Sequence, residues 1–125
     1  MSARTNEVPA EDLEQVNEVR LRGRLSSLPQ ERRLPSGDVV WTFRVVVGRA
    51  AGRGGAEPPR ARVDALECAA WSARVRRSVA SWREGDVVEV CGAMRRRFYS
   101  TGGATVSRVE VEVERGRVIR RARTG

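Results

Sequence analysis

From residue 19 the chain alternates: Val19, Leu21, Gly23 and Leu25 are separated by Arg20, Arg22 and Arg24, the period of two expected of a strand with one buried face. Pro35, Ser36 and Gly37 supply a turn. In the apolar run that follows, Trp41, Phe43, Val45 and Val47 share one face of a second strand. A third strand is read over "VDALECAAW", with Leu66, Cys68 and Ala70 on one side and Ala65, Glu67, Ala69 and Trp71 on the other. Beyond Trp71 the period lengthens. Val75, Val79 and Trp82 are four and three residues apart and form one stripe of a short helix, with Ser72 as its N-cap and Gly85 past its end. "DVVEVCGAMRRRFY" and "ATVSRVEVEVE" complete the set as two strands of a β-hairpin turning over Ser100 to Gly103.

Three strands, one helix and two strands, in that order, predict an all-β chain. The expected architecture is the five-stranded, partly open Greek-key barrel of the oligonucleotide-binding fold, with its helix between the third and fourth strands. A length of 125 residues, 40% of them hydrophobic, suits one such core. The segment from Gly48 to Arg62 has four glycines and two prolines and no apolar period, so a long loop is expected there. Residues 1–16 are read as an acidic extension expected to be disordered, 17–118 as the folded domain and 119–125 as a basic tail.

Charge sharpens the reading. All 24 basic side chains are arginine and the net charge is +8. Residues 1–19 hold one arginine against five acids, a net of −4, whereas residues 20–125 hold 23 arginines against 11 acids, a net of +12. A domain so basic attracts polyanions, nucleic acid first. There is no histidine, no phosphate-binding loop and no carboxylate pair at recognisable strand ends, so no catalysis, cofactor or metal is expected. Cys68 and Cys91 are too few for a disulfide scaffold and lack zinc spacing; Cys68 reads as core. No apolar run reaches the roughly 18 residues of a membrane span, and a cytoplasmic, nucleoid-associated protein is expected.

The stretch "RRRFYSTGG", residues 95–103, sets guanidinium groups beside aromatic rings. That combination fits a single nucleic-acid strand, which exposes unstacked bases and closely spaced phosphates together; stacking contributes about 1–3 kcal/mol per base without selecting sequence. Phe43 and Trp82 read as core, and Trp41 shares the face of Phe43.

Residues 17–118 resemble the DNA-binding domain of bacterial single-stranded DNA-binding proteins, through "NEVRLRGRL", "LPSG" followed by "VWTFRVVVGR", the tryptophan before the helix, "EGDVVEVCGAMRRR" and the last hairpin. The resemblance implies non-catalytic, sequence-tolerant binding of single-stranded DNA in replication, repair or recombination, by a homo-oligomer (dimer or tetramer) joined through first strands. It places base contacts at Trp71 and Tyr99. With them, Arg95, Arg97, Arg44, Arg49, Arg53, Arg62, Arg33 and Trp41 form the expected DNA-binding set. Ala50 and Ala65 stand where the family has further aromatics, and Glu67 where an arginine is usual. Typical members continue into a linker with an acidic tip that recruits repair and replication enzymes; this chain ends on "RVIRRARTG", so that recruiting function is expected to be lacking. Two alternatives stay open: a protein-interaction subunit of a primosome-type assembly on the same fold, and RNA binding through the same groove.

Overall fold

The computed structural model describes residues 13–50 and 62–123. Six strands and one helix follow in the order β1 (Val19–Leu25), β2 (Gln30–Arg33), β3 (Val39–Gly48), β4 (Val63–Ala70), α1 (Ala73–Val79), β5 (Val87–Thr101) and β6 (Ala104–Arg120). Five of them make the expected ring. β1 pairs antiparallel with β5, β5 with β6 and β3 with β4, while β4 and β6 run parallel. The ring closes where β1 meets β3 at Arg24 opposite Val46 and Leu25 opposite Val45. Closure by two residue pairs leaves the barrel partly open. At this seam a side chain on Gly23 would run into the Val46 carbonyl oxygen, so only glycine lets the backbones approach so closely.

The strand absent from the periodicity is β2. All four of its residues, Gln30 to Arg33, are exposed, so it carries no buried face to betray it. It forms a hairpin with Val39 to Thr42 of β3 through the expected turn, in which the Gly37 N–H donates to the Leu34 carbonyl at 2.9 Å and Gly37 takes φ 93°.

The core follows from the alternation. Leu25, Phe43, Val45, Cys68, Ala70, Val88, Val90, Val111 and Val113 point inward from the strands, and α1 plugs the barrel with Val75, Val79 and the following Trp82. The Phe43 and Trp82 rings meet edge to face with centroids 5.3 Å apart, a geometry favoured by the ring quadrupoles. Ser72 caps α1 as expected, its hydroxyl accepting from the Val75 N–H at 3.3 Å. Burial pushes the Cys68 thiol up to about 12, helped by the nearby Glu67 and Glu110 carboxylates, so it is an inert core group.

Side chains fasten both ends of the barrel. Asn17 extends the β1 to β5 ladder with its side chain, donating to the Met94 carbonyl at 2.8 Å and accepting from the Met94 N–H at 2.9 Å. At the other end Ile119 and Arg120 still belong to β6, so the basic tail does not begin at residue 119. Arg121 and Ala122 are fastened to Asp86, a carboxylate only 1% exposed, which accepts from the Arg121 guanidinium at 2.9 Å, the Ala122 N–H at 2.7 Å and the Arg83 N–H at 2.9 Å. Burial pushes the Asp86 carboxyl upward, but these donors outweigh it and hold it below the ordinary carboxylate range.

Asp86→Ala is therefore expected to cost about 2–3 kcal/mol of stability, the loss of charge-assisted bonds to a buried acceptor, in urea or thermal unfolding. Because the folded carboxyl is depressed, its contribution is present above the unfolded carboxylate range and fades as pH falls through the folded value. The deficit should thus be largest near neutral pH and shrink on acidification. A deficit that does not change with pH would show that the carboxylate charge is not what fastens the C-terminal strand.

Candidate nucleic-acid interface

The β5 and β6 register sets out the interface. Arg95 lies opposite Glu110, Arg97 opposite Arg108 and Tyr99 opposite Val106, so the outward side chains of β5 share a face with those of β6. Beyond the barrel the two strands run on as a hairpin, closed by Gly102 and Gly103 with φ of 53° and 86°, a pair of positive values that suits a two-residue hairpin turn. The parallel pairing of Cys68 with Val111 and Ala69 with Glu112 brings this face against β4 and the residue that follows it, Trp71.

The side chains meet in a continuous network. The Arg97 guanidinium lies over the Trp71 ring, 4.6 Å from its centroid, within the range of a cation–π contact. Its Nη2 donates to Glu112 at 2.6 Å and its Nε to Glu110 at 3.3 Å. Tyr99 donates its hydroxyl to Glu110 at 3.1 Å; burial first, then the Glu110 charge and hydrogen bond, raise the Tyr99 phenol above its ordinary value. Arg95 reaches Glu112 at 3.4 Å. The Trp71 indole Nε1 is buried and makes no hydrogen bond with the described residues.

Beside this network lies a concavity of about 700 Å³, walled by the β2 to β3 hairpin (Arg32, Leu34, Pro35, Ser36, Thr42), by Glu67 and Cys68 of β4, and by the distal hairpin (Phe98, Tyr99, Ser100, Val106, Arg108, Val109, Glu110). It is the groove that the barrel leaves between its first hairpin and its last. Arg44 of β3 pairs at 2.6 Å with Glu67, one of the residues that line it.

Four of the ten expected contact residues come together here: Trp71, Arg97, Tyr99 and Arg95. Arg44 lies on the adjoining surface of β3. Arg49 sits just past β3 in a bidentate pair with Asp64, Nη2 to Oδ1 at 2.7 Å, and its hydrogen bond is the main cause that holds the Asp64 carboxyl below its usual range. Arg62 is exposed at the foot of β4, its carbonyl accepting from the Arg49 N–H at 2.8 Å. Arg33 is exposed on β2. Arg53, with most of the expected loop, lies outside the described residues. Trp41 is placed differently from the others: it packs against the core, because alternation along β3 turns it away from Thr42 and Arg44.

Several groups escaped the sequence reading. Glu110 and Glu112 are outward positions of "VEVEVE" directly across the hairpin from an arginine run, a pairing signal that was present. Arg108 and Arg32 line the concavity without an ion pair to any described residue. Phe98, 67% exposed, lines it as well, although alternation turns it away from Tyr99.

This groove on a closed five-stranded barrel with a helical plug defines an oligonucleotide-binding fold. The sequence model of the Single-strand binding protein family matches residues 16–119, and the chain belongs to that family of non-catalytic single-stranded DNA binders. Among solved structures it is similar to "Plasmodium falciparum SSB complex with ssDNA", with a TM-score of 0.66 and 21% identity over 87% of this chain and 97% of that one, a likeness of fold. No curated protein sequence matches it.

Arg97→Ala should uncover the Trp71 face. Quenching of tryptophan emission by acrylamide is expected to rise, with a stability loss of about 1–3 kcal/mol as the cation–π contact and the hydrogen bonds to Glu110 and Glu112 are lost together. Unchanged quenching would mean that the guanidinium does not shield the ring.

Proposed function

We propose that this chain binds single-stranded DNA without strong sequence preference by stacking bases on Trp71 and Tyr99, with phosphates taken up by the arginines around the groove, in a cytoplasmic role in replication, repair or recombination. The observation that carries the proposal is the linkage of both rings through Arg97 and Glu110, with Tyr99 lining the concavity and Trp71 beside it. In the free protein the Trp71 face is occupied. An incoming base therefore displaces Arg97, which exchanges Glu110 and Glu112 for a phosphate.

Magnitudes favour the exchange. The Arg97–Glu112 pair, with both partners 30% exposed, contributes about 0–1 kcal/mol, whereas a stacked base contributes about 1–3 kcal/mol. The buried Glu110 keeps the Tyr99 hydroxyl as a donor when Arg97 leaves. The carboxylates impose an orientation on the strand. Phosphates are repelled from Glu67, Glu110 and Glu112 and drawn to Arg32, Arg44 and Arg108, so the bases turn toward β4 and the backbone toward the rim.

Self-association is proposed through β1. Beyond Arg24 and Leu25 its edge away from β5 has no strand partner among the described residues, and an unpaired edge is a template for a second copy.

Titration with a short oligo-dT by fluorescence anisotropy tests the groove. Trp71→Ala and Tyr99→Ala should each weaken binding by about 1–3 kcal/mol, and Trp41→Phe should leave it unchanged. If both alanine variants bind as the unmodified protein does, the rings are not the stacking platform.

A further inference from the structure

The distal hairpin has a second face, and its chemistry differs from that of the face that carries Arg97. The register sets Met94 opposite Val111, Arg96 opposite Val109 and Phe98 opposite Ser107, so these side chains share the side on which Val111 joins the core. Past the end of the barrel nothing described covers that side, and Met94, Val109 and Phe98 are exposed. Of the six aromatic side chains, Phe98 is the most open to solvent.

Phe98 and Tyr99 are successive residues that point to opposite faces, yet both line the concavity, as do Val109 and Glu110 on β6. The concavity therefore wraps round an edge of the hairpin instead of lying on one of its faces. That edge is β6. It meets β4 only at Val111 and Glu112, and from Ala104 to Glu110 its outer side has no strand partner among the described residues.

The rings on the two faces differ in what already occupies them. The Arg97 guanidinium covers Trp71, and the Tyr99 hydroxyl is bound to Glu110. Phe98 has no ring or cation against it among the described residues, so a flat group can lie on it without displacing anything. On the same face Arg96 donates to the Ser107 hydroxyl at 3.2 Å and pairs with no acid among the described residues, which leaves a cation for a phosphate beside the ring. The β2 to β3 hairpin adds Leu34 and Pro35 to the wall of the concavity, together with Arg32. A free aromatic face, apolar walls and unpaired guanidinium groups suit a nucleobase with its phosphate. The family resemblance assigns base contacts to Trp71 and Tyr99 and none to Phe98.

We propose that Phe98 is a third base-stacking residue, which takes a nucleobase of the same strand beyond the β6 edge while Arg96 takes the adjoining phosphate. The inference rests on the reading of the groove as a single-strand site and extends that site: the strand passes Tyr99, rounds the edge and continues toward the β2 to β3 hairpin. Contact surface at Phe98 thus offsets the aromatics that Ala50 and Ala65 replace.

The test measures the affinity of Phe98→Ala, Phe98→Leu and Phe98→Trp for oligo-dT of about 4 to 16 nucleotides, the site sizes of one such barrel, and for abasic strands of the same lengths. Loss of one stacked base should weaken the longer oligo-dT about five- to a hundredfold in Phe98→Ala, while the abasic strands and the shortest oligo-dT bind as before. Phe98→Leu, apolar but without a π-face, should behave like Phe98→Ala, and Phe98→Trp like the unmodified protein. Thermal unfolding of each variant should match that of the unmodified protein, because the ring is on the surface. Unchanged oligo-dT affinity of Phe98→Ala at every length would overturn the proposal. So would equal weakening for the abasic strands, full binding by Phe98→Leu, or a changed number of chains by light scattering, the mark of a contact between subunits. Trp71→Ala and Tyr99→Ala in the same series separate the two readings. If they lose affinity and Phe98→Ala does not, the third ring alone fails; if only Phe98→Ala loses it, the Phe98 contact stands and the other two rings are not the platform.

Discussion

The interface depends on the pairing register between β5 and β6. A shift of one residue would send Arg95, Arg97 and Tyr99 to the other face of the hairpin, away from Glu110, Glu112 and Trp71. The observed register does two things at once. Inside the barrel it aligns Val88 and Val90 with the inward positions of β6, and outside it puts a cation, a phenol and two carboxylates on the surface that β4 meets through Val111 and Glu112. Core packing therefore fixes the geometry of the groove, and Trp71 receives Arg97 because hydrophobic burial elsewhere leaves the hairpin no other alignment.

Charge in the groove is divided between held and free arginines. A groove that stacks bases gains by holding its arginines in place before the strand arrives, since ordering a long side chain on binding costs entropy. Pairing them with Glu67, Glu110 and Glu112 orders them, at the expense of long-range attraction. Arg32 and Arg108 of the same groove have no ion pair among the described residues and supply that attraction instead.

How much of this was legible along the chain follows from what each element exposes. Strands with one buried face announced themselves through alternation, as in Val19 to Leu25 and Val63 to Ala70, and the helix through the spacing of Val75 and Val79. β2 was silent because none of its residues is buried. Trp71 and Tyr99 were recognisable as outward aromatics, but that Arg97 covers Trp71 was not, since it depends on the pairing of β4 with β6, which are separated by some forty residues. Trp41 was ambiguous for the opposite reason: it shares its strand face with Phe43, and only packing decides how far a core extends.

The groove's role is tested most directly by following the three tryptophan indole N–H signals in a ¹⁵N NMR titration with short oligo-dT. If single strands stack on this face, the Trp71 signal moves or broadens on binding, as Arg97 leaves the ring, while that of the buried Trp82 stays in place. A Trp71 signal that stays fixed while the oligonucleotide binds would contradict the assignment of the groove as the base-stacking surface.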